Sequence, residues 1–344
     1  MRAALIETPG TVAVTTLPDP APGPGQVVVA VAACGICGTD LHIFDGDFAP
    51  TPYPIVPGHE FAGEIVAVGA GVTGLRTGDR VAVDPSLFCG ACHYCERGQG
   101  NLCENWNAIG VTRNGACAEY ALAPAANCHR LPEHLDLSHA ALIEPLSCAV
   151  RGFDLLPRRM GDHYLIYGAG TMGLMMLQLA RRAGAASVSV VDLNTARLPV
   201  ATRLGADAAA ASADEFDRPQ GWEVVIDCTG AVAAIEDGLT RVRRGGTFQQ
   251  FGVAPADATA RFSPFRVYND EITIVGSMAV LHSFGRAVDL MARGAIDPDI
   301  MISDRFALDR YPEALTAFRD GTGRKLQVSA ACPSDAPAVN GARC

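Results

Sequence analysis

At 344 residues, with 49% hydrophobic and 19% charged side chains, the chain has globular composition and length enough for two domains with separate cores. Its formal charge of −10 argues against nucleic acid or an anionic membrane as partner, since both call for clustered Lys and Arg. No apolar run reaches the length of a membrane span, and 12 cysteines without an apolar signal core fit metal chemistry in a reducing compartment, so cytoplasm is the expected location.

The N-terminal part reads as short β-branched strands between Gly/Pro turns, at residues 11–14, 26–31, 64–68 and 79–83. Between them lie segments with ligand-type side chains: Cys34-Gly35-Ile36-Cys37-Gly38-Thr39-Asp40-Leu41-His42, then Gly58-His59-Glu60. Neither segment is decisive alone, because a histidine after a glycine usually serves packing. The next segment is more specific. Cys89-x2-Cys92-x2-Cys95-x7-Cys103 lets successive thiolates converge on one ion, and Zn²⁺ takes such a set tetrahedrally at about 2.3 Å per sulfur. Cysteines so close in sequence are strained for disulfide pairing, and the segment is too polar to be core. Four thiolates fill the coordination sphere, so this zinc is expected to be structural. Glu144, in Ile143-Glu144-Pro145-Leu146, could by itself be a surface acid.

From about residue 160 the pattern becomes strand, helix, strand, helix, which implies a parallel sheet covered on both faces. Strands are expected at 163–167, 187–191, 223–227, 246–251 and 271–275, with helices through Arg182 and over 195–204. Pro199 should kink or shorten the second helix unless it lies in the first turns. Gly168-Ala169-Gly170-Thr171-Met172-Gly173 follows the first strand and opens the first helix, the context a dinucleotide pyrophosphate requires. Asp192 ends the second strand, where an acid accepts ribose hydroxyls and repels a 2′-phosphate, so NAD is expected over NADP. Arg197 is near enough to complicate that preference or to pack on the adenine. Thr229, in Asp227-Cys228-Thr229-Gly230, is placed to line the coenzyme site. Residues from about 281 look like helix and strand returning to the first domain. The tail 333–344, rich in Ala, Pro and small polar residues, is expected to be disordered.

Gly58-His59-Glu60-x2-Gly63-x5-Gly69-x2-Val72 resembles in full the zinc signature of the medium-chain alcohol dehydrogenase family. The four-cysteine lobe and the glycine turn fall in that family's order and spacing, so the resemblance covers nearly the whole chain. It is nearest to the polyol branch of sorbitol and arabitol dehydrogenases, with threonine dehydrogenase a neighbour through Ile109-Gly110-Val111-Thr112-Arg113-Asn114-Gly115. The resemblance implies an α/β protein with a GroES-like β-rich catalytic domain (1–145 and 281–332, zinc lobe at about 85–105) and a Rossmann domain (146–280). It implies two Zn²⁺ per chain and NAD. Cys37 and His59 match ligands of the catalytic zinc, and Glu60 and Glu144 match acids that share its remaining position. Asp40 matches the carboxylate that orients the histidine, and Thr39 and His42 match a proton relay. Cys34 and Cys148 are rival thiols at no motif position.

The implied reaction is oxidation of a secondary alcohol, most simply a polyol, with hydride transfer to the nicotinamide. L-Threonine, a cyclitol or an amino alcohol is the alternative substrate. The stretch 276–282 lacks the arginine that helps sorbitol dehydrogenases hold their polyol, which counts against sorbitol itself. Phe44, Trp106 and Glu144 are candidate pocket walls, although ordinary packing suits the first two as well. A zinc-free reductase on this fold would not need both zinc motifs, and a noncatalytic NAD-binding protein would not need ligand and relay positions intact. A homo-oligomer, tetramer or dimer, is expected through the last Rossmann strand.

Overall fold

The computed structural model describes residues 1–48 and 50–330; the tail expected to be disordered lies outside the described residues. The chain forms two units. One comprises Met1–Ser147, Val280–Arg293 and the residues from 298 on, and the other Cys148–Ala279 with Gly294–Asp297. The expected boundaries at 145 and 281 therefore shift by one or two residues, and the loop 294–297 belongs to the second unit. Local hydrogen bonds explain that return: Arg182 Nε donates to the Ala295 carbonyl (2.8 Å), and the Asp297 amide donates to Gln178 Oε1 (2.8 Å).

The first unit is built on a seven-stranded mixed sheet. Its path runs Ile302–Ala307, Lys325–Ser329, Gln26–Gly35, Glu60–Val68, Arg80–Val83 and Cys128–Arg130, with Tyr120–Pro124 also paired to Gln26–Gly35. Val27, Val28 and Val29 are all buried, so the central strand is covered on both faces. Strand Glu60–Val68 is buried at its start and alternates further on, with Glu64 and Val66 exposed around buried Ile65. The pairing register matters for the site. Gly35 faces Glu60 on one side and Gln327 on the other, which brings the last described strand against the first motifs.

The second unit holds a six-stranded sheet whose pairs are all parallel. The strands lie in the order Ala208–Ala210, Ser187–Val191, His163–Tyr167, Trp222–Asp227, Val242–Gln250 and Thr273–Gly276. This is the doubly wound order, with its switch point beside the strand that leads into the glycine turn. Tyr164, Leu165, Ile166, Val188, Val190, Val224, Val225 and Ile226 are all buried, as a doubly covered sheet requires. Strands His163–Tyr167 and Ser187–Val191 and the helix Thr171–Arg182 coincide with expectation. Pro199 lies in the first turn of helix Leu198–Arg203, where its missing N–H costs nothing, and Thr195–Arg197 is a separate 3₁₀ turn. The last strand starts two residues late because Glu271 adopts a left-handed backbone (φ 51°).

Candidate active site and metal centres

Strand Gln26–Gly35 ends just before Cys37, which is the N-cap of helix Gly38–Asp45. Asp40, fully buried in the first turn of that helix, ties two loops together. Its Oδ2 accepts from the Cys37 amide (2.8 Å) and its Oδ1 from the Gly58 amide (3.3 Å), with His59 Nδ1 3.9 Å from Oδ1. Burial raises the Asp40 pKa, and the nearby His59 opposes that shift. Gly58 is required where it stands. Its φ is +96°, and a Cβ there would meet Cys117 Sγ at 2.6 Å and Cys34 Sγ at 2.7 Å.

These constraints converge Cys37, His59 and Glu60, whose ligand atoms lie within 4.8 Å of one another. His59 Nδ1 is buried and has no hydrogen-bond partner among the described residues. Burial alone would disfavour a charged imidazole, yet Cys37, Asp40 and Glu144 outweigh it and hold the His59 pKa well above its ordinary value. A buried thiol, imidazole and carboxylate surrounded by further acids form a site that wants a cation, and this donor set fits Zn²⁺.

Glu144 is a buried neighbour of the trio rather than one of its atoms within 4.8 Å. Burial, with Glu60 and Asp84 adding to it and His59 opposing, pushes its carboxyl up to about 7. Cys34 belongs to neither metal cluster; it is buried, with Cys117 Sγ 3.8 Å away. Cys148 starts the second unit and also stands outside both clusters. Thr39 Oγ1 is 3.8 Å from Cys37 Sγ, and His42, one helical turn along, is exposed. Phe44 lies under the Arg319 guanidinium (5.3 Å) and packs on the apolar cluster of Ile6, Ile43, Ile55, Ala108 and Val111, as does Trp106.

Sequence reasoning missed Lys325. Its Nζ donates to Glu60 Oε2 at 2.6 Å and to the Ile36 carbonyl at 3.0 Å, from a side chain only 2% exposed. Burial works against its charge, but Glu60 and Cys37 more than offset that and raise its pKa.

The four-cysteine lobe is assembled locally. Cys89, Cys92, Cys95 and Cys103 place their sulfurs within 4.8 Å of one another, and the Cys89–Cys95 and Cys92–Cys103 separations are both 3.9 Å. A zinc tetrahedron with bonds of about 2.3 Å has edges of about 3.8 Å, so the thiols already stand at its corners. Backbone amides complete the cage: those of Cys89 and Asn105 both donate to Cys103 Sγ at 3.3 Å. The Ala91 amide is the main cause that lowers the Cys89 pKa to about 6.

In the second unit, Gly168 turns with φ +99°, and Gly173 packs so tightly that a Cβ would lie 1.7 Å from the Gly168 carbonyl oxygen. Gly170 is the N-cap of helix Thr171–Arg182, with Thr171 and Met172 in its first turn. Nothing but Arg197 Nη1 (3.9 Å) approaches the space over Gly170, which suits a close-lying phosphate. Asp192 accepts from the Ala169 amide (2.6 Å) and the Asn194 amide (2.7 Å), and Arg197 Nη1 is 3.7 Å from Oδ2. Thr229 is exposed beside the turn, its amide and Oγ1 both bonded to Asp227 Oδ1 (3.0 and 2.6 Å). The turn, the acid and Thr229 thus come together around Gly168 and Ala169.

Two family models match the chain: the alcohol dehydrogenase GroES-like domain over residues 23–133 and the zinc-binding dehydrogenase over 171–293. D-arabinitol dehydrogenase 1 of Uromyces fabae is 37% identical over 88% of this chain and 89% of its own length. The chain belongs to the zinc-containing medium-chain alcohol dehydrogenase family, in its polyol branch. As a member it is an NAD(P)-dependent oxidoreductase, and the four-cysteine cluster and the Cys37–His59–Glu60 trio could each hold zinc. An L-threonine 3-dehydrogenase of Saccharopolyspora erythraea is 35% identical over 95% of this chain and 98% of its own. A zinc-binding dehydrogenase of Sinorhizobium meliloti 1021, solved with NADP, superposes with a TM-score of 0.92 at 36% identity, covering 95% of this chain and 98% of that one.

Proposed function

We propose that the enzyme oxidises a secondary alcohol of a polyol or sugar alcohol to the corresponding ketose, with NAD as acceptor. The observation that carries this is the Cys37–His59–Glu60 trio, whose carboxylate is shared with Lys325, so the donor set is not closed like the four-thiol lobe. When bound, zinc supplies Lewis acidity to the substrate oxygen and the nicotinamide accepts the hydride. The chain's own residues do the rest. Cys37 and His59 would hold the ion, Asp40 orients both of their loops, and Glu60 and Glu144 would be its exchangeable acidic partners. Thr39 Oγ1, next to Cys37, would accept the released proton while giving up its own, which would pass through the nicotinamide ribose to the exposed His42 and on to solvent.

Asp192 supports NAD over NADP: a carboxylate fixed by two amides accepts ribose hydroxyls and repels a 2′-phosphate, even with Arg197 alongside. The threonine reading has a specific support, the Saccharopolyspora relative that spans more of both chains than the arabinitol enzyme does. Self-association through the outer strand Thr273–Gly276 is supported by exposed Phe265, Tyr268 and Ile274 on or beside an edge that, among the described residues, is unpaired. Light scattering at micromolar concentration should give a dimer or tetramer; a monomer rejects it. Cytoplasm remains the compartment that suits free cysteines, and among the described residues no helix is long and apolar enough to cross a membrane.

An absorbance screen for NADH formation against polyols, sugars, cyclitols and threonine, repeated with NADP⁺, tests the whole proposal. Turnover is expected on a polyol with NAD⁺. Turnover on threonine alone would select the second substrate, and none on any alcohol would reject catalysis.

A further inference from the structure

The chain contains one lysine; every other member of its 27 Lys and Arg residues is arginine. That lysine is Lys325, and it is buried at the metal site. Its position follows from the sheet. Lys325 starts the strand that pairs with Gln26–Gly35, two residues before Gln327, which faces Gly35, and Glu60 starts the strand on the other side and faces Gly35 there. Gly35 leaves the room the pair needs, since a Cβ there would lie 2.2 Å from Glu60 Oε2. Lys325 Nζ then reaches Oε2 at 2.6 Å and the Ile36 carbonyl at 3.0 Å. An ammonium is a compact charge with three donors on a flexible stem, whereas a guanidinium is a larger planar fork. Beside fully buried Ile36 and a glycine that cannot carry a side chain, the compact head fits where the chain's usual cation would crowd.

We propose that Lys325 is a positioning residue that withholds one oxygen of Glu60 from the catalytic ion, keeping this carboxylate an exchangeable partner rather than a fixed ligand. The inference rests on the zinc-centre reading given above. Two effects act in the same direction. The hydrogen bond occupies Oε2, and the positive charge offsets part of the negative charge that Cys37, Glu60 and Glu144 bring to the ion. Without Lys325, Glu60 is free to close the coordination sphere and the ion is held more tightly.

The test uses the full-length zinc-loaded enzyme. Because the chain has one lysine, ¹⁵N-lysine labelling gives one side-chain nitrogen signal. Glu60→Gln should shift it; an unmoved signal overturns the contact. Zinc release to a chromogenic chelator is then followed for wild type and Lys325→Met. Wild type should give up one of its two ions readily, and Lys325→Met should give up that ion at least about tenfold more slowly, the scale on which groups bonded to a ligand alter metal sites. The kcat of this variant should fall by at least about tenfold while its Kd for NADH, read by fluorescence, stays unchanged. Glu60→Gln/Lys325→Met should lose the slowing. Should Lys325→Met not fold, Lys325→Arg keeps the charge on a wider head that seats less well on Oε2, and a smaller slowing in the same direction is expected of it. Release from the folded variant at or above the wild-type rate overturns the proposal. A wild type that holds a single, four-cysteine zinc instead overturns the zinc-centre reading, and this proposal with it.

Discussion

The two metal clusters are made in opposite ways. The four thiols come from one short segment, and neighbouring backbone amides hold them at the corners of a tetrahedron. The Cys37–His59–Glu60 trio draws on the start of a helix and the loop into a second strand, and a lysine 265 residues away steadies it. The first set is chemically uniform and complete, which suits structure. The second mixes a thiol, an imidazole and a shared carboxylate, which leaves it able to change partners. A site that must exchange a ligand needs support from the tertiary fold, because local spacing alone would lock it.

That contrast is most severely tested by removing one donor from each cluster. Cys37→Ala or His59→Ala should lower turnover by at least about 10³-fold and reduce zinc from two ions per chain to one, with NADH binding intact. Elemental analysis and fluorescence titration check this, and near-full activity in either variant would break the assignment. Cys103→Ser should do the reverse. Loss of the four-thiol ion is expected to lower Tm by about 5 °C or more, and calorimetry of a folded variant with unchanged Tm would remove the structural role.

What the sequence disclosed follows the same division. The cysteine spacing, the glycine turn and the strands at 163–167 and 187–191 are encoded by neighbouring residues, and each took the form expected of it. Lys325 was invisible because its partner lies across a sheet whose register depends on the whole first unit, although its being the chain's one lysine was a signal in plain view. The loop 294–297 was assigned to the wrong unit for a similar reason: its hydrogen bonds run to Arg182 and Gln178, far back in the chain. The expectation for Glu60 and Glu144 came from the resemblance alone, and the structure separates them, with Glu60 in the trio and Glu144 beside it.

Smaller perturbations sharpen the contrast further. Asp40→Asn keeps the size of a side chain that ties two ligand-bearing loops but weakens its acceptor. Zinc affinity at the trio should drop by about 10- to 100-fold, while the four-thiol ion is unaffected. Competition with a chelator measures both, and equal losses at the two sites would show that the coupling is not local. Gly58→Ala puts a methyl group onto Cys34 and Cys117 and forces a left-handed alanine. It should cost about 1–3 kcal/mol of stability, read from denaturant midpoints; a neutral effect would mean the backbone there is not fixed by packing.

The central claim is that an ion held by Cys37 and His59, distinct from the ion in the cysteine lobe, is the reaction centre. Anomalous diffraction at the zinc edge from crystals of the NAD complex tests it most directly. Two peaks per chain are predicted, one of them within about 2.3 Å of both Cys37 Sγ and a His59 ring nitrogen. A single peak among Cys89, Cys92, Cys95 and Cys103, in crystals of an active preparation, would contradict it.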